Sequence, residues 1–323
     1  MQQQRDSEGL SGEAARIAVL IPCYNEAGTI AKVVRGFRAQ LPRAEIYVFD
    51  NNSTDRTAEE AKAAGAIVRR EVRQGKGFVI RSMFRHVEAD VYVMVDGDGT
   101  YPAERVRALL EPILRGEADV VIGSRLQGSS RSRFKVLNLI GNVVFRLLLN
   151  GLFRVHITDL LSGYRAFSRR VVKSLPFFSR GFESETELTV KCLERGYRMI
   201  EVPVSLTPRA EGTRSKIQPV RDGLLILRTI FSLARDYKPL TSFGLCGLFL
   251  VACGAIPGIL VIREFLSAGS ILRIPSAIMA VGLVLAGVFV AFAGLVLHSI
   301  TRHFQELDYQ MQELLERTGG RHP

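Results

Sequence analysis

"VYVMVDGDGTYPAE", Val91 to Glu104, carries an unbroken apolar run into two aspartates one residue apart. Asp96 and Asp98 sit among glycines. That is the composition of a tight turn and equally that of a paired carboxylate around a metal ion. The neighbouring sequence repeats the pattern of apolar run and polar ending. From Arg16 to Arg125 the runs IAVLIP, EIYVFD, AIVRREV, VYVMVD and ADVVIGS alternate with helical patterns. Ile30, Val33, Val34 and Phe37 follow the i, i+3, i+4, i+7 spacing of an amphipathic helix. Thr54 to Ala64 opens with a capping signature and stops at Gly65. Pro102 is placed as the first-turn proline of a helix through Leu114. Strand and helix in alternation predict an α/β fold, with a mainly parallel sheet covered on both faces. Ligands of such sheets bind beyond the carboxyl ends of the strands. Three runs end there in polar clusters: PCYNE (Pro22 to Glu26), DNNSTD (Asp50 to Asp55) and DGDG (Asp96 to Gly99). Three clusters on one rim point to a binding site.

Across 323 residues, 43 Lys+Arg against 32 Asp+Glu leave a net charge of +11, so the surface favours anions. Phosphorylated substrates and acidic lipid headgroups fit this balance. No nucleic-acid-binding module is recognisable, so no nucleic-acid partner is expected. Cys23, Cys192, Cys246 and Cys253 form no CxxC pair, and a reducing, cytosolic setting is the simplest reading. Residues 1–14 are polar, lack an apolar core and read as a flexible tail.

The C-terminal third differs in kind. Phe243 to Ile262 and Ile274 to Leu297 are uncharged runs of 20 and 24 residues. Each is long enough to cross a hydrocarbon layer of about 30 Å. The short link from Arg263 to Arg273 makes them a transmembrane hairpin within 239–302. Arg228, Arg235, Lys238 and Arg302 flank its outer ends, which puts the large domain and the tail 303–323 in the cytoplasm, on a multi-pass cytoplasmic (inner) membrane protein. Residues 134–153 are apolar but carry Arg146 near the middle, and read as an interface helix. In 218–238, Arg221, Arg228 and Arg235 share one arc, with Leu227, Ile230, Leu233 and Ala234 opposite. A helix packed on a soluble core would share this pattern; the span that follows tips the reading toward the bilayer surface.

The strand-end motifs VLIPCYNEAGTI, VFDNNSTDRT and VMVDGDGTYP are followed in order by IGSR (Ile122 to Arg125), DLLSGYR (Asp159 to Arg165) and RAEGTRSK (Arg209 to Lys216). This series resembles the family-2 glycosyltransferases, in particular polyprenyl-phosphate sugar synthases of the dolichyl-phosphate mannose synthase type. The resemblance implies a Rossmann-like nucleotide-diphospho-sugar transferase (GT-A type) domain over 15–217, with amphipathic interface helices and the C-terminal hairpin. It implies an inverting, metal-dependent transfer from a nucleotide sugar to a membrane polyprenyl phosphate. Asp96 and Asp98 would hold Mg²⁺ or Mn²⁺, with Asp98 the direct ligand. Pro22, Tyr24, Glu26, Val48, Asp50, Lys76, Asp96, Gly97, Asp98, Arg125, Arg209 and Lys216 would line the nucleotide-sugar pocket. Asp98, Asp159 and Arg125 are the catalytic candidates, and Arg131, Arg133, Ser162 and Arg214 the lipid-phosphate ligands, with Glu185 in support. Arginine forks suit a phosphate acceptor, which is already an anion and needs positioning more than a base.

The chain departs from the family at two places. Thr100 stands where Gln is frequent, and Asn51 follows Asp50 where a second Asp is common. A lone acceptor at Asp50 tilts the donor toward a UDP-sugar over GDP-mannose. A lipid hydroxyl such as diacylglycerol is the alternative acceptor, which requires a general base, with Asp159 the candidate. A non-catalytic membrane scaffold or lipid-carrier transport partner is the other alternative. Nucleotide sugar, polyprenyl phosphate and bilayer are the expected partners, with a homo-oligomer through the membrane helices left open.

Overall fold

The computed structural model describes residues 15–125, 157–177, 183–207, 219–270 and 273–319, together with 143, 147, 149–151, 179 and 181. It divides into two compact units, Met1–Ile230 and Phe231–Pro323.

The first unit is built on a sheet whose described strands are β1 (Ile17–Cys23), β2 (Glu45–Asp50), β3 (Ile67–Arg70), β4 (Val91–Met94), β5 (Val120–Ser124), β6 (Arg165–Ser168) and β7 (Met199–Pro203). Their order is β3-β2-β1-β4-β6-β5-β7. β1 pairs in parallel with β2 and β4, β2 with β3, and β5 with β7. β6 runs antiparallel between β4 and β5. The five expected runs all form strands; β6 and β7 complete a mixed sheet.

Helices α1 (Ile30–Gln40), α2 (Thr57–Ala63), α3 (Lys76–His86), α4 (Val106–Leu114), α5 (Arg169–Ser174) and α6 (Ser184–Glu194) accompany the strands. The predicted stripe of α1, Ile30, Val33, Val34 and Phe37, is buried with Val19, Ile21 and Val48 on one face of the sheet. Ile80 and Met83 of α3 and Leu188 of α6 pack with Leu20, Tyr92 and Phe167 on the other. Burial on both faces explains why the strands read as continuous apolar runs.

Two helix starts differ from expectation. α2 begins at Thr57, because Ser53, Thr54 and Asp55 bond the neighbouring loop instead of opening a helix. Pro102 is extended and precedes a single 3-10 turn, Ala103–Arg105, before α4.

Further along, α7 (Pro219–Tyr237) buries Ile226, Ile230, Leu233 and Ala234, while Leu224 and Phe231 are exposed. In the second unit α8 (Pro239–Ala268) and α9 (Ile274–Gly319) pack against each other. Gly247 and Gly287 meet backbone to backbone there, and an added Cβ at either would strike the other's carbonyl oxygen. Both helices are long and apolar enough to cross a membrane, and only 17% of each apolar window is buried. α9 does not stop at 302 but continues as one helix to Gly319.

Candidate active site

Parallel strands put the ends of β1, β2, β4, β5 and β7 on one rim. Antiparallel β6 brings its beginning to the same rim. Its first residue, Arg165, is in register with Met94 of β4 and Ile122 of β5. The loop before it, Asp159 to Tyr164, therefore lands between the DGDG turn and Arg125. Three motifs far apart in sequence meet for that reason.

The rim loops are tied to one another by side chains. The backbone N–H groups of Asn25, Glu26 and Ala27 donate to Ser53 Oγ, Thr57 Oγ1 and Asp55 Oδ2. Thr29 Oγ1 donates to Gly97 O at 2.8 Å, fixing the β1 loop to the aspartate turn. Gly97 is required there, since an added Cβ would lie 2.6 Å from Cys23 Sγ. Asn51 is buried and donates through Nδ2 to Glu71 O (3.0 Å) and Arg73 O (2.8 Å), while its Oδ1 accepts from Gly75 N at 2.7 Å. A carboxylate could not donate to those two carbonyls, which is the physical reason this position is Asn rather than Asp. Asp50 beside it is buried and accepts from Ser53 N. Pro22 and Glu26 are half-buried and Tyr24 is exposed.

Asp96 follows β4 directly. Its Oδ1 accepts from Lys76 Nζ at 2.6 Å, and the same ammonium lies 2.5 Å from Glu185 Oε1 in the first turn of α6. Burial works against the Lys76 charge, but the two carboxylates outweigh it and raise the ammonium well above its usual value. Gly163 abuts the Asp96 carboxylate so closely that an added Cβ would fall on it. Thr100 donates to Asp98 Oδ1 from both its backbone N–H (3.0 Å) and its hydroxyl (2.7 Å). The residue in place of Gln thus orients Asp98. Thr207 closes the turn from the far side, donating its hydroxyl to Gly99 O at 2.8 Å and its N–H to Thr100 O at 2.9 Å.

Across the rim, Arg125 grips Asp159 with three donors: Nε (2.7 Å), Nη2 (2.8 Å) and its own backbone N–H (2.9 Å). The Asp159 side chain is fully buried and that of Arg125 is 16% exposed. Burial alone would raise the Asp159 carboxyl, yet Arg125 holds it below the usual range. Glu201 of β7 carries the loop from beneath, accepting from the N–H groups of Thr158 and Asp159 and from the Thr158 hydroxyl.

Two further expected site residues have buried side chains. Val48 is fully buried within β2 and packs in the core. Ser162 is fully buried and donates to Gly123 O at 2.6 Å, which shapes the loop. Arg131, Arg133, Arg209, Arg214 and Lys216, and nearly all of 134–153, lie outside the described residues. Thr207 and Glu201 were not singled out from sequence. The run IEVPVSL after Met199 was the available signal for a strand ending near them.

Among the described residues no three Asp, Glu, His or Cys side chains converge as a metal cage. Asp96 and Asp98 offer oxygen donors alone, the type Mg²⁺ and Mn²⁺ take, and such ions commonly complete their shell with substrate phosphates and water.

A mixed α/β sheet with this acidic rim is a GT-A-type fold, and comparison with known proteins agrees. The model of glycosyl transferase family 2 matches residues 18–175. Glycosyltransferase AglJ of Haloferax volcanii is 36% identical over 74% of this chain and 78% of its own. A dolichyl-phosphate hexose transferase of the same organism is 32% identical over 69% of this chain and 95% of its own. Among solved structures, glucosyl-3-phosphoglycerate synthase of Mycobacterium tuberculosis, in complex with Mn²⁺, UDP and phosphoglyceric acid, superposes with a TM-score of 0.58. It is 26% identical, covering 72% of this chain and 82% of that one. The chain belongs to glycosyl transferase family 2 and is a glycosyltransferase.

Proposed function

We propose that the protein transfers one sugar, with inversion, from a nucleotide-diphosphate sugar to the phosphate of a membrane polyprenol, using Mg²⁺ or Mn²⁺. Asp96 and Asp98 would hold the ion; when bound, it neutralises charge developing on the leaving diphosphate. The lipid phosphate oxygen forms its bond to the anomeric carbon as the bond from that carbon to the diphosphate breaks. Pro22, Tyr24, Glu26 and Asp50 would hold the nucleoside, and Lys76, swung off Asp96, would meet the donor phosphates. Arg125 would fix a phosphate at the reacting centre, with Asp159 as its positioning residue. Arg209 and Lys216 would join the donor side, and Arg131, Arg133 and Arg214 the acceptor side.

The observation that carries the acceptor class is the engagement of Asp159. With its oxygens held by Arg125 and no exposed surface, it is poorly placed to take a proton from a hydroxyl. An acceptor that is already an anion needs no such base, which favours phosphate over diacylglycerol. The relative named as a dolichyl-phosphate hexose transferase supports the same reading. The UDP in the related synthase supports a UDP-sugar over GDP-mannose.

In this reading the domain over 15–217 lies in the cytoplasm, 218–238 rests on the bilayer surface and the hairpin anchors both. The test gives detergent-purified protein polyprenyl phosphate, Mn²⁺ and a panel of labelled UDP- and GDP-sugars. A labelled lipid that disappears with EDTA is expected. No lipid product from any donor would refute the proposal.

A further inference from the structure

Asp96 gives an incoming ion little room. Gly163 stands so close to its Oδ2 that an added Cβ would fall on the carboxylate. Its Oδ1 already accepts from Lys76 Nζ at 2.6 Å. A cation that takes Oδ1 meets an ammonium on the same atom, and the two charges repel.

The ammonium has a second partner. Glu185 Oε1 lies 2.5 Å from the same Nζ, and the Lys76 and Glu185 side chains are 14% and 4% exposed, against 30% for Asp96. Lys76 is the first residue of α3, where the positive end of the helix dipole opposes an ammonium. Glu185 is in the first turn of α6, where the same effect favours a carboxylate. Lys76 therefore relies on its two carboxylates, and Glu185 remains when Asp96 is given up. The start of α3 is pinned, with Gly75 N donating to Asn51 Oδ1 at 2.7 Å. The flexible four-carbon stem lets Nζ leave Asp96 while the helix stays in place.

We propose that Lys76 is a tethered competitor for the metal at Asp96, that Glu185 draws it away, and that a nucleoside diphosphate completes the release by taking the ammonium itself. This rests on the reading of Asp96 and Asp98 as the metal site. Metal and nucleotide binding are then coupled through one side chain. A site open for about one-tenth of the time binds its ion about tenfold more weakly, and the diphosphate restores that factor. By linkage, the ion tightens nucleotide binding equally. The acidic rim is thereby kept from taking up cations without its substrate, and ion and nucleotide enter together.

The test titrates full-length protein in detergent with Mn²⁺, reading free Mn²⁺ by electron paramagnetic resonance. Titrations are run without nucleotide and with saturating UDP, corrected for Mn²⁺–UDP formed in solution. Lys76→Met keeps an apolar stem and removes the charge. It should bind Mn²⁺ alone about tenfold tighter than wild type, and UDP should tighten Mn²⁺ about tenfold less in it. Glu185→Gln leaves the ammonium to Asp96 and should bind Mn²⁺ alone about tenfold more weakly. Opposite shifts exclude general loosening of the site, which would weaken binding in both variants. Mn²⁺ binding by Lys76→Met that is unchanged or weaker, the result for a side chain that only holds phosphate, would overturn the proposal. Tighter binding by Glu185→Gln would overturn it too. These outcomes leave the metal site standing. Failure of wild type and Lys76→Met alike to bind Mn²⁺, even with UDP, would overturn the metal site of the proposed function and this coupling with it.

Discussion

Replacing Asp159 by Asn changes one carboxylate oxygen to an amide at nearly constant volume. It takes from the Arg125 guanidinium the carboxylate that grips it, in a place where water reaches 16% of that side chain and none of Asp159. Removing one partner of a buried pair costs about 3–5 kcal/mol. Asn keeps one acceptor oxygen, so the lower end, about 3 kcal/mol, is the expected loss. Set against a typical stability of 5–15 kcal/mol, that is large enough to read by urea unfolding followed by circular dichroism. The pH dependence supplies a second readout. The folded carboxyl lies below its unfolded value, so its stabilisation is complete above an unfolded pKa of about 3.9 and disappears as pH falls through the lower folded value. The gap between wild type and variant should therefore be constant at neutral pH and close only in strong acid. Activity should fall while the acid limb of the pH–rate profile stays in place, since a positioning residue does not titrate in the reaction. A variant within about 1 kcal/mol of wild type would refute the buried-pair reasoning. A displaced acid limb would restore Asp159 as a base.

Other substitutions probe the rest of the rim. Asn51→Asp would bring the family's more common residue yet turn a carboxylate toward the carbonyls of Glu71 and Arg73; urea unfolding should show a loss of about 2–6 kcal/mol. Gly163→Ala drives a methyl group into the Asp96 carboxylate; transfer should drop at least about a hundredfold while stability falls by only about 1–3 kcal/mol. Glu185→Gln leaves Asp96 as the carboxylate partner of Lys76, so the Mn²⁺ concentration for half-maximal activity should rise about tenfold, or about 1.4 kcal/mol.

What could be read from sequence was whatever depends on neighbours along the chain. The strand runs, the stripe of α1 and the three polar endings are local patterns, and they placed the rim. β6 escaped because four residues between a motif and a short helix carry no periodicity, and its buried Arg165 hides the apolar signal of a central strand. Its antiparallel insertion is what sets Gly163 against Asp96. Pairings across the fold were equally hidden: Lys76 meets Glu185 over 109 residues of sequence, and Arg125 meets Asp159 over 34. Thr54 satisfied a local capping rule, but its N–H bonds Asn25 Oδ1 at 2.8 Å, and tertiary geometry won. Val48 and Ser162 were equally opaque: each sits beside or within a polar motif, and only the fold shows that both side chains are fully buried.

The most direct measurement compares acceptors at one fixed donor and Mn²⁺ concentration: a polyprenyl phosphate, the same polyprenol without phosphate, and diacylglycerol, with products identified by mass spectrometry. A single sugar joined through phosphate, formed from the first acceptor alone and lost in Asp98→Ala protein that still folds, is the predicted result. Transfer to either hydroxyl acceptor, or full activity in Asp98→Ala, would contradict it.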